Sequence, residues 1–104
     1  SVLCKHLNSL KCNKHIILGM MSNKNHIEYI NYFKDKITSL TTVDIPNQPN
    51  AINGEDLMKK LKNLKNIQYK KSIKEAINSI DLKDNDIIII TGSLYLAGEA
   101  LNLN

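Results

Sequence analysis

The residues best suited to chemistry lie where a hydrophobic run ends in Thr91, Gly92 and Ser93, just before a segment with helical spacing. A buried strand that turns directly into a helix presents unpaired backbone N–H groups and the positive end of the helix dipole, and both attract anions. Glycine permits the tight turn, and serine is a common helix cap. The pattern predicts an anion-binding turn. The alternative is that Ser93 only caps the helix and Gly92 only shapes the turn.

A second candidate, Lys24, lies in the polar loop of residues 19–25, which follows another hydrophobic run. Its ammonium could neutralise a carboxylate or a phosphate. Because all 14 basic residues are lysine, an ordinary solvated lysine is the alternative. A third loop, residues 44–53, contains two prolines that restrict its path. We therefore predict substrate or phosphate contacts at Lys24, Gly92 and Ser93, and no catalytic acid, base or nucleophile.

Other groups of reactive residues do not have the spacing that a phosphate loop, a metal site or a nucleophile requires. The chain contains neither a GxxxxGK[ST] phosphate loop nor a GxGxxG fingerprint. His6 and His15 are isolated in the sequence, and His26 has no second ligand in register, so no metal site is predicted. Cys4 is better explained as a small core residue than as a nucleophile, because no histidine is placed in the sequence to activate it.

Four segments are predicted to be strands, each followed by a segment with helical spacing: residues 14–20, 37–44, 67–70 and 86–91. The first and last are continuous apolar runs, which are typical of strands covered by helices on both faces. These two are expected to be the central strands, and the other two, which are half-polar, nearer an edge. This order predicts an α/β fold, a three-layer sandwich with a parallel, Rossmann-like sheet of strand order 3-2-1-4. Ligands bind beyond the carboxyl ends of such strands, where the three loops lie.

Capping residues predict where the internal helices begin, at Asn25, Asn53 and Ser72. The first of these helices is expected to bury Ile27, Ile30 and Phe33. Further helices are predicted at both ends of the chain. The N-terminal one starts with little room for a cap, which indicates a domain cut from a larger architecture.

Composition limits the class of protein. The 104 residues are room for one domain, and no apolar run approaches the ~18 residues of a membrane span. A net charge of +4 without any arginine gives little support for nucleic acid, so neither a nucleic acid nor a membrane is a predicted partner.

Cys4 and Cys12 lie too far apart along one predicted helix to bridge. With no signal peptide, we expect a cytoplasmic location.

The order of these motifs resembles a known family. The ending, residues 88–99, resembles the C-terminal signature of folylpolyglutamate synthase/dihydrofolate synthase of the Mur ligase superfamily, in which a hydrophobic strand leads into Gly-Ser, an aromatic residue and a helix bearing Gly-Glu. Residues 19–25 are similar to the Asp-Lys-Asp loop of that family, with Lys24 matched. Residues 46–57 are similar to its proline-rich loop.

The sequence departs from the family pattern at several positions. Asn23 and Asn25 replace both acidic residues of the Asp-Lys-Asp loop, and Asn50 replaces the arginine that usually follows the second proline. The phosphate-binding loop, the metal ligands and the Asp-Gly-Ala-His-Asn stretch of the family are absent. The resemblance therefore implies that residues 1–104 are a single C-terminal domain of the Mur ligase type, without the upstream ATP-binding domain.

For the full-length enzyme, the resemblance implies an ATP-dependent ligase of folate biosynthesis. It would use ATP and magnesium to activate dihydropteroate or a folate as an acyl phosphate, which the amine of glutamate then attacks to form an amide. The partner of this chain would be the central ATP-binding domain of the same protein, and the fragment alone would be inactive. The alternative from another class is a stand-alone, non-catalytic α/β module that binds an anionic ligand or a protein. Mur-type ligases of cell-wall synthesis fit the fold but not the Gly-Ser-x-Tyr ending.

Overall fold

A computed structural model describes residues 13–33, 35, 37–84 and 86–93 of the chain. Its elements, in chain order, are β1 (Asn13–Leu18), α1 (His26–Asn31), β2 (Ser39–Thr42), α2 (Gly54–Lys60), β3 (Ile67–Tyr69), α3 (Ile73–Ser79) and β4 (Asp86–Thr91). Both predicted terminal helices lie outside the described residues. Within the described ranges, no helix is long and apolar enough to cross a membrane.

The four strands form one parallel sheet in the order β3-β2-β1-β4. In the middle of the sheet, Ile17 pairs with Thr41 on one side and with Ile90 on the other. The predicted strand order is thus confirmed. The expectation that residues 37–44 lie nearer an edge than the last strand is wrong, because β2 pairs with strands on both sides and β4 is an end strand of the described sheet. Chain order reverses between β1 and β4, and this reversal is the switch point near which ligands of such sheets bind.

Apolar residues cover both faces of the sheet, because successive residues of a strand point to opposite sides. One core lies between the sheet and the helices α1 and α2, and it contains Ile16, Leu18, Met20, Ile30, Leu40, Leu57 and Leu61. The other lies between the sheet and α3, and it contains Ile17, Val43, Ile45, Ile73 and Ala76. Helices on both faces confirm the predicted three-layer sandwich.

The three internal helices begin where their capping residues predict. The side chains of Asn25, Asn53 and Ser72 accept hydrogen bonds from the backbone N–H three residues later, at 3.1, 2.8 and 3.2 Å respectively. Each bond satisfies one of the N–H groups that lack a partner at a helix start.

The predicted inner face of α1 is partly wrong. Ile30 is buried and Phe33 packs against the core, but Ile27 is 56% exposed. His26 takes the buried position instead, because its Nε2 donates to the carbonyl of Met21 at 3.0 Å. With His26 and Ile30 on the buried face of α1, Ile27 points toward solvent.

Candidate functional site

The two loops that follow β1 and β2 are joined by hydrogen bonds. The backbone N–H and the hydroxyl of Ser22 both donate to the carbonyl of Asn50, at 2.8 Å each. The N–H of Ile52 donates to the carbonyl of Met20 at 3.1 Å. These bonds hold both loops at the carboxyl edge of the sheet, where the sequence predicted that they would lie.

The turn after β4 packs closely against the end of β1. The N–H of Gly19 donates to the carbonyl of Thr91 at 3.3 Å. Gly92 has φ +108°, and a Cβ at this position would lie 2.5 Å from the carbonyl oxygen of Gly19 and 2.7 Å from Cδ1 of Leu18. Both the backbone conformation and the space therefore require glycine. The turn of residues 91–93 thus lies at the same edge as the loops of residues 19–25 and 44–53.

A cavity of about 380 Å³ opens between α1 and this turn. It is lined by Met20, Lys24, Asn25, Glu28, Tyr29, Tyr32 and Gly92. The structure thus brings two of the three predicted contact residues, Lys24 and Gly92, to one cavity. Ser93 follows Gly92 directly and is half-buried, but it does not line this cavity.

The cavity carries charges of both signs. Lys24 is exposed at its rim and Glu28 lies one helical turn further along α1. One Glu28 carboxylate oxygen accepts a hydrogen bond from Nδ2 of Asn25 at 3.1 Å. An ammonium and a carboxylate in one cavity fit a ligand that itself bears both charges, such as a free amino acid.

Tyr29 connects α1 to the end of β4, a role that the sequence did not predict. Its hydroxyl lies 2.5 Å from Oγ1 of Thr91. Its ring packs against Phe33, with the centroids 5.5 Å apart and the planes at 56°. The only signal in the sequence was the helical spacing between Tyr29 and Phe33, which places both rings on one face but does not identify Thr91 as a partner.

Two of the departures from the family pattern preserve the local geometry. Asn25 caps α1, and asparagine caps a helix about as well as aspartate does. Asn50 holds Ser22 through its backbone carbonyl, which any residue supplies. The hydrogen bonds that hold this edge of the sheet therefore do not require the aspartate or arginine side chains of the family pattern. The charge of the edge does depend on them.

A second polar cluster lies at the opposite, amino edge of the sheet. Nδ1 of His15 is 2.7 Å from Oγ of Ser39, and Nε2 is 3.1 Å from Oδ2 of Asp86. His15 is isolated in the sequence, but parallel pairing brings three distant segments together and gives it these two partners. The backbone N–H of Lys83, which donates to Asp86 at 3.0 Å, is the main cause of a lowered pKa of the Asp86 carboxyl, and His15 lowers it further.

Metal-ligating side chains do not gather in the described part of the chain. No group of three or more histidine, cysteine, aspartate or glutamate residues among them could hold a metal ion. The bond from His26 to the carbonyl of Met21 also occupies the Nε2 atom of that buried ring.

Comparison by sequence identifies one protein family. The family model described as Mur ligase, glutamate ligase domain, matches residues 3–94. This span includes Lys24, the whole described sheet and the turn of residues 91–93. No curated protein matches the chain by sequence.

Comparison by structure finds the same fold in several larger enzymes. Folylpolyglutamate synthase from Mycobacterium tuberculosis, complexed with ADP, superposes with a TM-score of 0.85 and 18% identity, over 97% of this chain and 26% of its own. The bifunctional folylpolyglutamate synthase/dihydrofolate synthase from Yersinia pestis, complexed with AMPPNP and a Mn ion, gives 0.83 and 14%, over 98% and 25%. E. coli FolC in complex with DHPP and ADP gives 0.79 and 18%, over 98% and 25%. The chain thus spans about a quarter of the length of each.

Proposed function

Because this chain belongs to the Mur ligase, glutamate ligase domain family, we propose that it is the C-terminal domain of an ATP-dependent ligase that adds L-glutamate to dihydropteroate or a folate. The carboxylate of the pterin substrate takes the terminal phosphoryl group of ATP, and ADP leaves. The amine of glutamate then attacks the acyl phosphate, loses a proton and displaces phosphate to form the amide. The observation that carries the proposal is the family match over residues 3–94.

The structural neighbours support the choice of substrates and the domain arrangement. They are folylpolyglutamate synthases and FolC, and their complexes contain ADP, AMPPNP or DHPP. Since the chain spans about a quarter of their length, the proposal places an ATP-binding domain upstream in the same protein. That domain is the proposed partner of this chain, and residues 1–104 alone are expected to be inactive.

In this proposal, Lys24, Gly92 and Ser93 contact substrate or phosphate at the carboxyl edge of the sheet. Lys24 supplies a positive charge for a carboxylate or a phosphate group. Glu28, in the same cavity, offers a carboxylate to the ammonium group of a bound amino acid. None of these residues acts as an acid, base or nucleophile. Their contribution is to position the substrate and to neutralise its charge.

Magnesium and the ATP phosphates belong to the upstream domain in this proposal. The described residues contain no set of three side chains that fits a metal ion, and the chain has no phosphate loop of the GxxxxGK[ST] type. Magnesium held by residues of that domain would offset the negative charge of the ATP phosphates. No step through the metal is assigned to the residues of this chain.

The test is a coupled assay of ADP formation by the full-length protein, with each substrate omitted in turn. We expect ADP only when ATP, magnesium, glutamate and either dihydropteroate or a folate are all present. Mass spectrometry of the product should find the pterin substrate heavier by one glutamyl residue. ADP formation that does not depend on glutamate, or a product without added glutamate, would contradict the proposal.

The gene itself separates the ligase from a stand-alone binding module. An upstream reading frame of about 300 residues, enough for two further domains, that encodes a GxxGKG[ST]-like loop agrees with the ligase. A start codon near Ser1 favours the module instead. In that case, isothermal titration of the chain with glutamate and with inorganic phosphate would identify the class of ligand.

A further inference from the structure

We infer that Tyr29 is a positioning residue of the ligase, which acts through Thr91 to hold the turn of residues 91–93 at a set distance from Lys24. The inference rests on the proposed function, because it assigns a role within the same cavity. Tyr29 is not proposed to react or to donate a proton to substrate.

The hydrogen bond between the two side chains is the first observation. The hydroxyl of Tyr29 and Oγ1 of Thr91 are 2.5 Å apart and join residues 62 positions apart in the sequence. Thr91 is the last residue of β4, which is the end strand of the described sheet. The bond is thus a side-chain connection from α1 to β4, and it supplements the backbone bond between Gly19 and Thr91 at 3.3 Å.

The tyrosine ring is held firmly enough to place its hydroxyl. It packs against the core on the α1 side of the sheet and against Phe33. A tyrosine has only two side-chain torsions, so a packed ring fixes the position of the oxygen. Thr91 is β-branched and therefore restricted at its first torsion as well. Both partners meet with little freedom to move apart.

The bond also joins two walls of the candidate cavity. Lys24 directly precedes the cap of α1, so any movement of α1 moves Lys24 with it. Thr91 directly precedes Gly92, which lines the same cavity. Through this bond, α1, whose cap follows Lys24, is connected to the turn that contains Gly92. A ligand that contacts both sides would then find the two walls already in position, which reduces the cost of ordering them on binding.

The experiment is steady-state kinetics of the full-length ligase with Tyr29→Phe, which keeps the ring and removes the hydroxyl. We expect the KM for glutamate to rise roughly three- to tenfold, the effect of losing about one hydrogen bond. The KM for ATP should remain within about twofold. Thr91→Val removes the other partner without changing its shape and should have the same effect.

The double variant tests whether both residues act through one bond. If they do, Tyr29→Phe combined with Thr91→Val raises the KM for glutamate no further than either change alone. Tyr69→Phe is the matched control, because it removes a phenol hydroxyl that is bonded to Asp44 elsewhere in the fold. It should lower the Tm and leave the KM for glutamate unchanged.

The outcomes separate this inference from the proposed function. A wild-type enzyme that does not ligate glutamate overturns the proposed function and the inference with it. An active wild-type enzyme whose KM for glutamate is unchanged by both Tyr29→Phe and Thr91→Val overturns the inference alone. Additive effects in the double variant, or a loss of Tm without a change in KM, would also overturn it. If Tyr29→Phe does not fold, Thr91→Val still decides the question.

Discussion

Asp44 uses both oxygens of its carboxylate to hold neighbouring elements together. Oδ1 accepts from the N–H of Gly54 at 2.7 Å, and Oδ2 accepts from the hydroxyl of Tyr69 at 2.8 Å. The hydrogen bond to Asp44 is the main reason that the pKa of Tyr69 rises to about 12, with burial and the charge of Asp44 adding to it. Ionising Tyr69 would remove the bonding proton and place a phenolate beside a carboxylate.

The stability of the fold should therefore fall at high pH through Tyr69. Because its pKa is higher in the folded chain than in the unfolded one, its contribution is full below about pH 10 and is lost between about pH 10 and 12. In urea denaturation across this range, the advantage of wild type over Tyr69→Phe in free energy of unfolding should disappear. That advantage is expected to be about 0.5–1.5 kcal/mol at neutral pH. An advantage that stays constant up to pH 12 would contradict the assignment.

Asp86 should make the stability of the fold depend on pH in the acid range. Its pKa is lowered in the fold, first by the N–H of Lys83 and then by His15, so its contribution is present above about pH 4 and is lost as the pH falls through the lowered pKa. Asp86→Asn should reduce stability at neutral pH and flatten the acid limb of the stability curve. Asp81→Asn is the control, because that side chain is 84% exposed. Equal acid limbs in wild type and Asp86→Asn would contradict this prediction.

At the scale of elements, α2 lies unusually close to the sheet at its first residue. A Cβ on Gly54 would lie 2.6 Å from two ring carbons of Tyr69 and 2.8 Å from the backbone carbonyl carbon of Val43. The hydroxyl of Thr42 also donates to the carbonyl of Gly54, at 2.6 Å. The close approach of α2 to β2 and β3 therefore depends on the absence of a side chain at this position.

Gly54→Ala should destabilise the fold by about 1–3 kcal/mol, the usual range for overpacking a core. Alanine is a better helix former than glycine by about 1 kcal/mol. This gain does not offset the clash, because the backbone of Val43 cannot move aside as a flexible side chain would. Glu55→Ala, in the same helical turn, is the control. It removes an exposed ion pair with Lys59 at 3.8 Å and should cost under about 0.5 kcal/mol. A Gly54→Ala variant that is as stable as wild type in urea would be inconsistent with the close packing.

At the scale of the whole molecule, the candidate cavity belongs to no single element. Its walls come from the loop after β1, from α1 and from the turn after β4. Backbone bonds tie these segments together at one edge, and the loop after β2 supports them through Ser22 and Asn50. Substrate contacts at this edge are expected to affect catalysis without affecting the stability of the core, which lies on the two faces of the sheet.

Substitution of Ser93 in the full-length enzyme tests whether contacts at this edge affect catalysis without affecting stability. Ser93→Ala should lower kcat/KM for ATP or for glutamate and leave the Tm nearly unchanged, because the proposed function makes Ser93 a substrate contact at the edge. A hydroxyl contact of ordinary strength corresponds to roughly a three- to tenfold loss. Thermal unfolding is measured on the same preparation. A parallel loss of Tm and activity would favour the simple helix-cap role instead.

Much of the architecture was determined by the sequence alone. The presence of four strands, the parallel order 3-2-1-4 and the three helix caps all depend on local signals or on general rules of chain connection, and each is confirmed. The same rules bring the three candidate loops to one edge. Contacts of Lys24, Gly92 and Ser93 with substrate remain predictions.

Only the tertiary structure decided which distant side chains meet. Tyr29 and Thr91 are 62 positions apart, and His15 and Asp86 are 71 apart, so no local spacing could pair them. The exposure of Ile27 likewise depends on the rotation of α1 against the sheet, to which the core packing of Ile30 and the bond of His26 contribute. Periodicity identifies the faces of a helix, but its rotation and the strand register are selected by the total packing and hydrogen bonding of the fold.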